Sequence, residues 1–361
     1  MPRPVVVAVP VRDEAARIGA CLAALSDQTI PADHVVVLLN NCTDGTAEVA
    51  KASPLARHRL HIIERRLEGA SANAGFARGL AMQYAASLVK DGAILTTDAD
   101  AEVPPHWIEA NLRAIEQGAD AVCGQAVIDP IEAMVIPAHL HQDDAREVAY
   151  GRLLDEIESI VLPDPGDSWP RHREDSGASI AITTSMFRRV GGVPRLASGE
   201  DRALIAALRL IDARVRHHPH INVVVSGRIE GRAPGGMADT MRRRMVKQDE
   251  YVDDRIEPAR LACLRVRMKR RFHSLWHEPD DARLQQLANL LDLSSDVLAD
   301  AVDAAYLGLG WSQVEQAAPV LTPRRVRFAE LPREMRIALR IQQHLLSRAG
   351  FGEWDAELTA A

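Results

Sequence analysis

Val5-Val6-Val7-Ala8-Val9 is apolar at every position, almost wholly β-branched, and flanked by Pro4 and Pro10. A strand with one wet face alternates polar and apolar residues, so an unbroken run of this kind is buried on both faces, as parallel strands are. The pattern recurs at Val35–Leu39, and Leu60–Ile63, Ala93–Thr97 and Ala121–Ile128 read as a third, fourth and fifth strand. Between these runs lie segments with helical spacing: Ala15–Leu25 with Ile18, Leu22 and Leu25, an Ala-rich stretch after Thr46, Ala70–Val89, and Trp107–Gln117. Strands alternating with helices predict an α/β fold, a mostly parallel twisted sheet with helices on both faces. In such sheets ligands bind outside the carboxyl ends of the strands. Pro10-Val11-Arg12-Asp13-Glu14, the loop from Asn40 to Asp44, and Asp98 to Asp100 all fall there.

The fourth run, Ile94-Leu95-Thr96-Thr97, breaks directly into Asp98-Ala99-Asp100-Ala101-Glu102. Asp98 and Asp100 at i, i+2 would raise each other's pKa unless a cation neutralised them. Carboxylate oxygens without Cys or His beside them suit Mg²⁺ or Mn²⁺, ions that bind through one or two carboxylates plus a ligand's phosphates. The implied ligand is a nucleotide or nucleotide-sugar. Read alone, the pair also fits a solvated turn with Asp100 capping a helix begun at Pro104-Pro105; the neighbouring stretches decide for the metal.

At 361 residues the chain has room for one large domain and a smaller one. Its net charge of −7 argues against a general nucleic-acid binder and for small-molecule or protein partners. Cys21, Cys42, Cys123 and Cys263 are scattered without CxxC spacing, which predicts neither a zinc site nor a disulfide framework and fits a reducing cytoplasm. No stretch approaches the ~18 apolar residues of a membrane span, and no signal-peptide pattern is present. A dinucleotide-binding dehydrogenase would want Gly-x-Gly-x-x-Gly after the first strand. That position reads Pro10-Val11-Arg12-Asp13-Glu14, and the glycines of Gly69-Ala70-Ser71-Ala72-Asn73-Ala74-Gly75 lead into a helix from a different loop.

The ordered set Pro10-x-Arg-Asp-Glu14, Asn41-Cys-Thr-Asp-Gly-Thr46, Ala72-Asn-Ala-Gly-Phe-Ala-Arg78, Thr97-Asp-Ala-Asp-Ala101, Gly191-Gly-Val-Pro194 and Ser198-Gly-Glu-Asp-Arg202 resembles the family 2 glycosyltransferases of GT-A fold, over about residues 4–240. The resemblance implies nucleotide-sugar contacts at Pro10, Arg12, Asp13, Glu14, Asn40, Asn41, Asp44, Ser71, Asn73, Arg78 and Asp98, and a metal on Asp98 and Asp100. It also implies an acceptor-side Glu200-Asp201 motif in which Asp201 takes the acceptor proton, with Glu200 next in line. A rival reading makes Ser198 a helix N-cap and Asp201 its N3 partner. Many relatives carry Asp-Asp where this chain has Asn40-Asn41; an amide there still accepts a hydrogen bond but brings no charge and adds two donors.

Residues 129–175 interrupt the pattern with two helical pieces and a Pro/Asp-rich stretch, and the resemblance places an acceptor-side insertion there, with Trp169 anchoring the loop or stacking on a sugar. Ser176–Thr183 reads as a returning strand. His217-His218-Pro219-His220, beside the apolar run Ile221–Val225, reads as packed or solvated histidines rather than metal ligands. The Gly-rich stretch Ser226–Gly236 offers Arg228 or Arg232 to a diphosphate, since guanidinium forks match phosphate oxygens; ordinary surface salt bridges are the alternative.

From Tyr251 strand signals stop. Leu261, Leu264, Met268, Phe272 and Leu275 recur at helical spacing beside Arg260, Arg265, Arg267, Lys269, Arg270 and Arg271, a basic amphipathic helix with a solvated face or a peripheral membrane contact. Leu284–Leu291, Asp296–Leu307 and Pro332–Ser347 read as further helices, with Thr322-Pro323 and Gly350 as start and stop signals. The expected domains are a GT-A-like catalytic domain over 1–250 and a helical region over 251–361 for acceptor binding or self-association into a homo-oligomer. The expected activity is metal-dependent transfer of a sugar from a nucleoside-diphosphate donor to a hydroxyl acceptor, with inversion. A nucleotidyltransferase on a similar sheet and a non-catalytic nucleotide-sugar binder are the alternatives.

Overall fold

The structure, a computed structural model, describes residues 3–55, 58–229, 231 and 236–349. In chain order its elements are β1 (Val5–Val11), α1 (Ile18–Ser26), β2 (His34–Asn40), α2 (Thr46–Lys51), β3 (Leu60–Arg65), α3 (Ala74–Leu88), β4 (Ala93–Thr96), β5 (Ala101–Glu102), α4 (Trp107–Glu116) and β6 (Ala121–Ile128). There follow α5 (Pro130–Ala133), α6 (Ala138–Val161), β7 (Ile180–Thr183), α7 (Thr184–Arg189), α8 (Glu200–Leu210), β8 (Val215–Val225) and α9 (Met237–Val246). The chain closes with α10 (Ala259–His277), α11 (Asp281–Leu291), α12 (Ser295–Val302), α13 (Leu307–Ala317) and α14 (Leu331–Ala349).

The sheet order is β3-β2-β1-β4-β7-β6-β8-β5. The β3-β2-β1-β4 half is parallel throughout, while β7 runs antiparallel to both β4 and β6, and β5 antiparallel to β8. The result is a mixed α/β sheet with a helical C-terminal region. The unbroken apolar runs are explained by their two-sided burial. Val5, Val7, Val9, Val35, Val37, Leu39 and Leu95 point into one core with Ile18, Leu22, Trp107 and Ile108. Val6, Ala8, Val36, Leu38 and Ile94 point into the other, with Ala77, Ala81, Met82 and Ala85 of α3 and Leu204, Ile205 and Leu208 of α8.

Several boundaries differ from the sequence expectation for local reasons. Helix α3 starts at Ala74 rather than Ala70 because Asn73 is its N-cap, with Oδ1 accepting from the Phe76 amide at 2.8 Å; Gly69–Ser71 is a separate 3₁₀ turn. The stretch Asp296–Leu307 is not one helix. It turns back between α12 and α13, and the two cross so closely at Gly310 that a Cβ there would lie 2.1 Å from the Ala301 carbonyl oxygen. Thr322-Pro323 starts no helix, since α14 begins at Leu331. Gly350 lies outside the described residues.

The chain divides into two compact units. One comprises residues up to Pro137 together with Pro170–Val246 and holds the sheet; the other comprises Ala138–Trp169 and the chain from Lys247 onward. Helix α6, from within the 129–175 segment, thus groups with the C-terminal helices. Within that second unit Tyr150, Leu154, Ile157 and Val161 pack with Val252, Ile256, Val326 and Leu345. Trp169 sits under the Arg152 guanidinium, 5.6 Å from its ring centroid, as an anchor would. The basic helix α10 buries Met268, Phe272 and Leu275. Its Arg265 is not on a solvated face: it binds Glu257 and Glu315 and donates to the Leu321 carbonyl. Among the described residues no helix is long and apolar enough to cross a membrane.

Candidate active site at the carboxyl ends of β1, β2 and β4

Asp98 and Asp100 leave β4 at the carboxyl edge shared by its parallel neighbours. Each aspartate spends one oxygen on an arginine. Arg78 Nη2 donates to Asp98 Oδ1 at 2.7 Å, and Arg228 Nη2 lies 3.1 Å from Asp100 Oδ2. Arg78, buried on α3, is the hub: its Nε donates to Glu200 Oε1 at 2.9 Å, and its Nη1 to Thr96 Oγ1 at 3.0 Å and to the Gly177 carbonyl at 2.9 Å. Burial works to lower its pKa, but Asp98 and Glu200 outweigh this and raise it, so the guanidinium is a permanent buried cation. Gly177 is where that fit is tightest, since a Cβ there would stand 2.4 Å from Arg78 Nη2.

Asp100 is the carboxylate least at ease with its charge. Burial, then Asp98, push its pKa up to about 6 against the pull of Arg228. Arg228 is shared: its guanidinium grips the buried Glu14 carboxylate with both terminal nitrogens. Glu14 is therefore an anchor for Arg228, held in turn by Thr46 Oγ1 accepting from its amide at 2.9 Å. The Arg228 loop has a second anchor that no motif signalled. Glu132 Oε2 accepts from the Gly227 amide at 2.6 Å and the Ser226 hydroxyl at 3.0 Å, while its Oε1 takes Arg17 at 2.8 Å. Arg232 lies outside the described residues.

Glu200 and Asp201 open α8, where the helix dipole favours negative charge. The capping-box rival is not formed: the N-cap is Gly199, left-handed at φ 74°, with no side-chain cap. Asp201 is held instead by two backbone donors, Oδ2 accepting from the Gly177 amide at 2.8 Å and Oδ1 from the Arg202 amide at 2.8 Å. Gly75 lets α3 approach this point, for a Cβ there would meet the Leu196 carbonyl oxygen at 2.3 Å.

The remaining candidates line the ends of β1 and β2. Asp13, left-handed at φ 51°, accepts through Oδ1 from the Thr43 amide at 2.7 Å. Asp44 caps the turn before α2, with Oδ1 on the Thr46 amide at 3.0 Å and Oδ2 on the Ala15 amide at 3.1 Å. Asn41 pairs its amide with the Leu67 backbone in both directions, at 2.8 and 2.6 Å, a use that an aspartate could only half fill. Asn40 is buried, and its Oδ1 has no hydrogen-bond partner, like Thr97 Oγ1 beyond β4. Both are buried polar atoms without a partner at the carboxyl ends of β2 and β4. Asn73 is spent on its helix cap, Ser71 closes the 3₁₀ turn before it, Pro10 lies within β1, and Arg12 is exposed.

The donor set fits a divalent cation. Asp98 and Asp100 offer hard carboxylate oxygens two residues apart at the end of β4, each meeting its arginine through one named oxygen, Asp98 Oδ1 and Asp100 Oδ2. Of the residues singled out in the sequence, Asp98, Asp100, Arg78, Glu14, Arg228, Glu200 and Asp201 come together around this pair. Sequence reasoning missed Glu132 and Gly177, which carry no motif of their own.

No curated protein matches the chain. Among solved structures it is similar to a mannosyltransferase from Pyrobaculum calidifontis in complex with GDP-Man and Mn²⁺, at 18% identity over 99% of this chain and 89% of that one, TM-score 0.46. It is similar also to S. aureus TarS in complex with UDP-GlcNAc, at 17% identity over 98% and 93%, TM-score 0.46. A third is glucosyl-3-phosphoglycerate synthase from Mycobacterium tuberculosis, at 14% identity over 68% and 78%, TM-score 0.41. Residues 6–164, which run from within β1 past β6 and include both aspartates, match the family model Glycosyl transferase family 2. The chain carries a glycosyltransferase domain of family 2.

Proposed function

We propose that the protein transfers a glycosyl group from a nucleoside-diphosphate sugar to a hydroxyl acceptor, using Mg²⁺ or Mn²⁺ held by Asp98 and Asp100 and Asp201 as general base. The observation that carries the reading is the Asp98/Asp100 pair at the carboxyl end of β4, where burial and then Asp98 push Asp100 up to about 6 despite Arg228 beside it. The cation would supply charge neutralisation for the diphosphate leaving group. Arg228, held beside Asp100 by its pairing with Glu14, would add a guanidinium charge for the diphosphate. The bond between the anomeric carbon and the diphosphate oxygen breaks, the acceptor oxygen bonds to that carbon, and the acceptor proton goes to Asp201. A single displacement of this kind inverts the anomeric centre.

Asp201 is supported as the base by its two backbone donors, which fix the carboxylate while leaving each oxygen a further lone pair. A panel of nucleoside-diphosphate sugars, assayed with Mn²⁺ for release of nucleoside diphosphate, tests the proposal. Release of pyrophosphate instead would mean nucleotidyl transfer, and binding without turnover against any hydroxyl acceptor would mean a binding protein.

A further inference from the structure

Away from the aspartate pair, three buried side chains of different chemistry converge on one point. Cys123 on β6 stands opposite His217 on β8 in the parallel register, and the segment leading to β7 brings Asp175 against them. Their ligating atoms all lie within 4.8 Å of one another, and all three residues are buried. His217 Nε2 is 2.9 Å from Asp175 Oδ1 and 3.2 Å from Arg209 Nη2. A single imidazole nitrogen cannot donate to the first and accept from the second at once. A cation shared by Nε2, the carboxylate and the thiolate removes that conflict, and Arg209 can yield to it, since its side chain is 52% exposed.

We propose that Cys123 Sγ, Asp175 and His217 Nε2 form a site for a zinc-class divalent cation, with solvent at the fourth position. A mixed sulfur, nitrogen and oxygen set suits zinc, whereas Mg²⁺ seeks oxygen alone. Binding displaces the Cys123 thiol proton to solvent, and the thiolate and carboxylate together cancel the ion's charge, leaving no net charge buried. His172 forms a wall of the site. Its Nδ1 accepts from the Glu174 amide at 3.1 Å, so its Nε2 carries the proton and donates to the Cys123 carbonyl at 3.2 Å, with the ring edge-on to His217. The ion would brace functional backbone: Asp175 is two residues before Gly177, which holds both Arg78 and Asp201. This departs from the sequence expectation of scattered cysteines and packed histidines, because the ligands come from three separated segments.

The test is cobalt titration of the metal-stripped full-length chain, followed by absorption. Cobalt on the oxygen-only pair Asp98/Asp100 gives no thiolate charge transfer, whereas cobalt on Cys123 gives an intense near-ultraviolet thiolate-to-cobalt band with the visible bands of a tetrahedral ion. The band is expected in the wild type and in Asp100→Ala, absent in Cys123→Ser, and bleached by zinc. His217→Gln should need about tenfold more cobalt or beyond to reach the same band. Circular dichroism of each variant separates a lost ligand from a lost fold, and His217→Gln carries the test if Cys123→Ser does not fold. A folded wild type without the band, or a band that survives Cys123→Ser, overturns the proposal.

Discussion

Asp100 holds its proton to about pH 6 because burial and Asp98 both oppose its charge, and this sets the direction of two pH effects. In the unfolded chain its pKa is near 3.8, so between that value and about 6 the folded protein binds the extra proton. The ionised carboxylate thus subtracts stability from the cation-free protein as pH rises through the window. Cation binding needs the ionised form and moves oppositely: Mn²⁺ affinity should fall as pH drops below about 6 and level off above it. Calorimetric Mn²⁺ titrations across that range check the slope, and a flat profile would show that Asp100 is no ligand. At Asp201 the expectation concerns rate. Asp201→Asn keeps an acceptor for the Gly177 amide, so donor binding and fold should persist while turnover falls by ~10²–10⁴-fold. Near-normal turnover in that variant would move the base to Glu200. The acidic residues were legible in the sequence because their motifs stand at strand and helix ends. The partners of Asn41 and Glu14 were not, since the Leu67 backbone and Arg228 that occupy them lie far along the chain.

Among the elements, the strands were the most legible, because burial on both faces leaves an apolar run with no other explanation. Helix α3 was legible in its body but not at its start, where the choice of Asn73 as cap depends on a side chain bonding the Phe76 amide. The break between α12 and α13 was invisible because the close crossing at Gly310 is a tertiary requirement. The segment before β7 read only as strand. Its Gly177 nevertheless joins α3 to α8 through Arg78 and Asp201, and the room for that junction is the missing Cβ. Gly177→Ala should push Arg78 off Glu200 and Asp98, destabilising the protein by ~1–3 kcal/mol. Urea denaturation measures that loss, and Mn²⁺ titration should show weaker cation binding alongside it. An alanine variant as stable as the wild type with unchanged Mn²⁺ affinity would mean that the Arg78 network is not what positions Asp98.

On the scale of the whole molecule, the sheet-bearing unit gathers every described residue of the candidate site, from Glu14 on the first loop to Arg228 near the last strand. A nucleoside diphosphate bound there through a cation should stabilise the folded protein by about 2.7 kcal/mol at a hundredfold excess over Kd. The most direct test of the account measures nucleoside-diphosphate sugar binding by calorimetry in Mn²⁺ and in EDTA, with wild type and Asp100→Ala side by side. The account predicts binding by the wild type in Mn²⁺ that is lost in EDTA and strongly weakened in Asp100→Ala; equal affinity in Mn²⁺ and EDTA would contradict it.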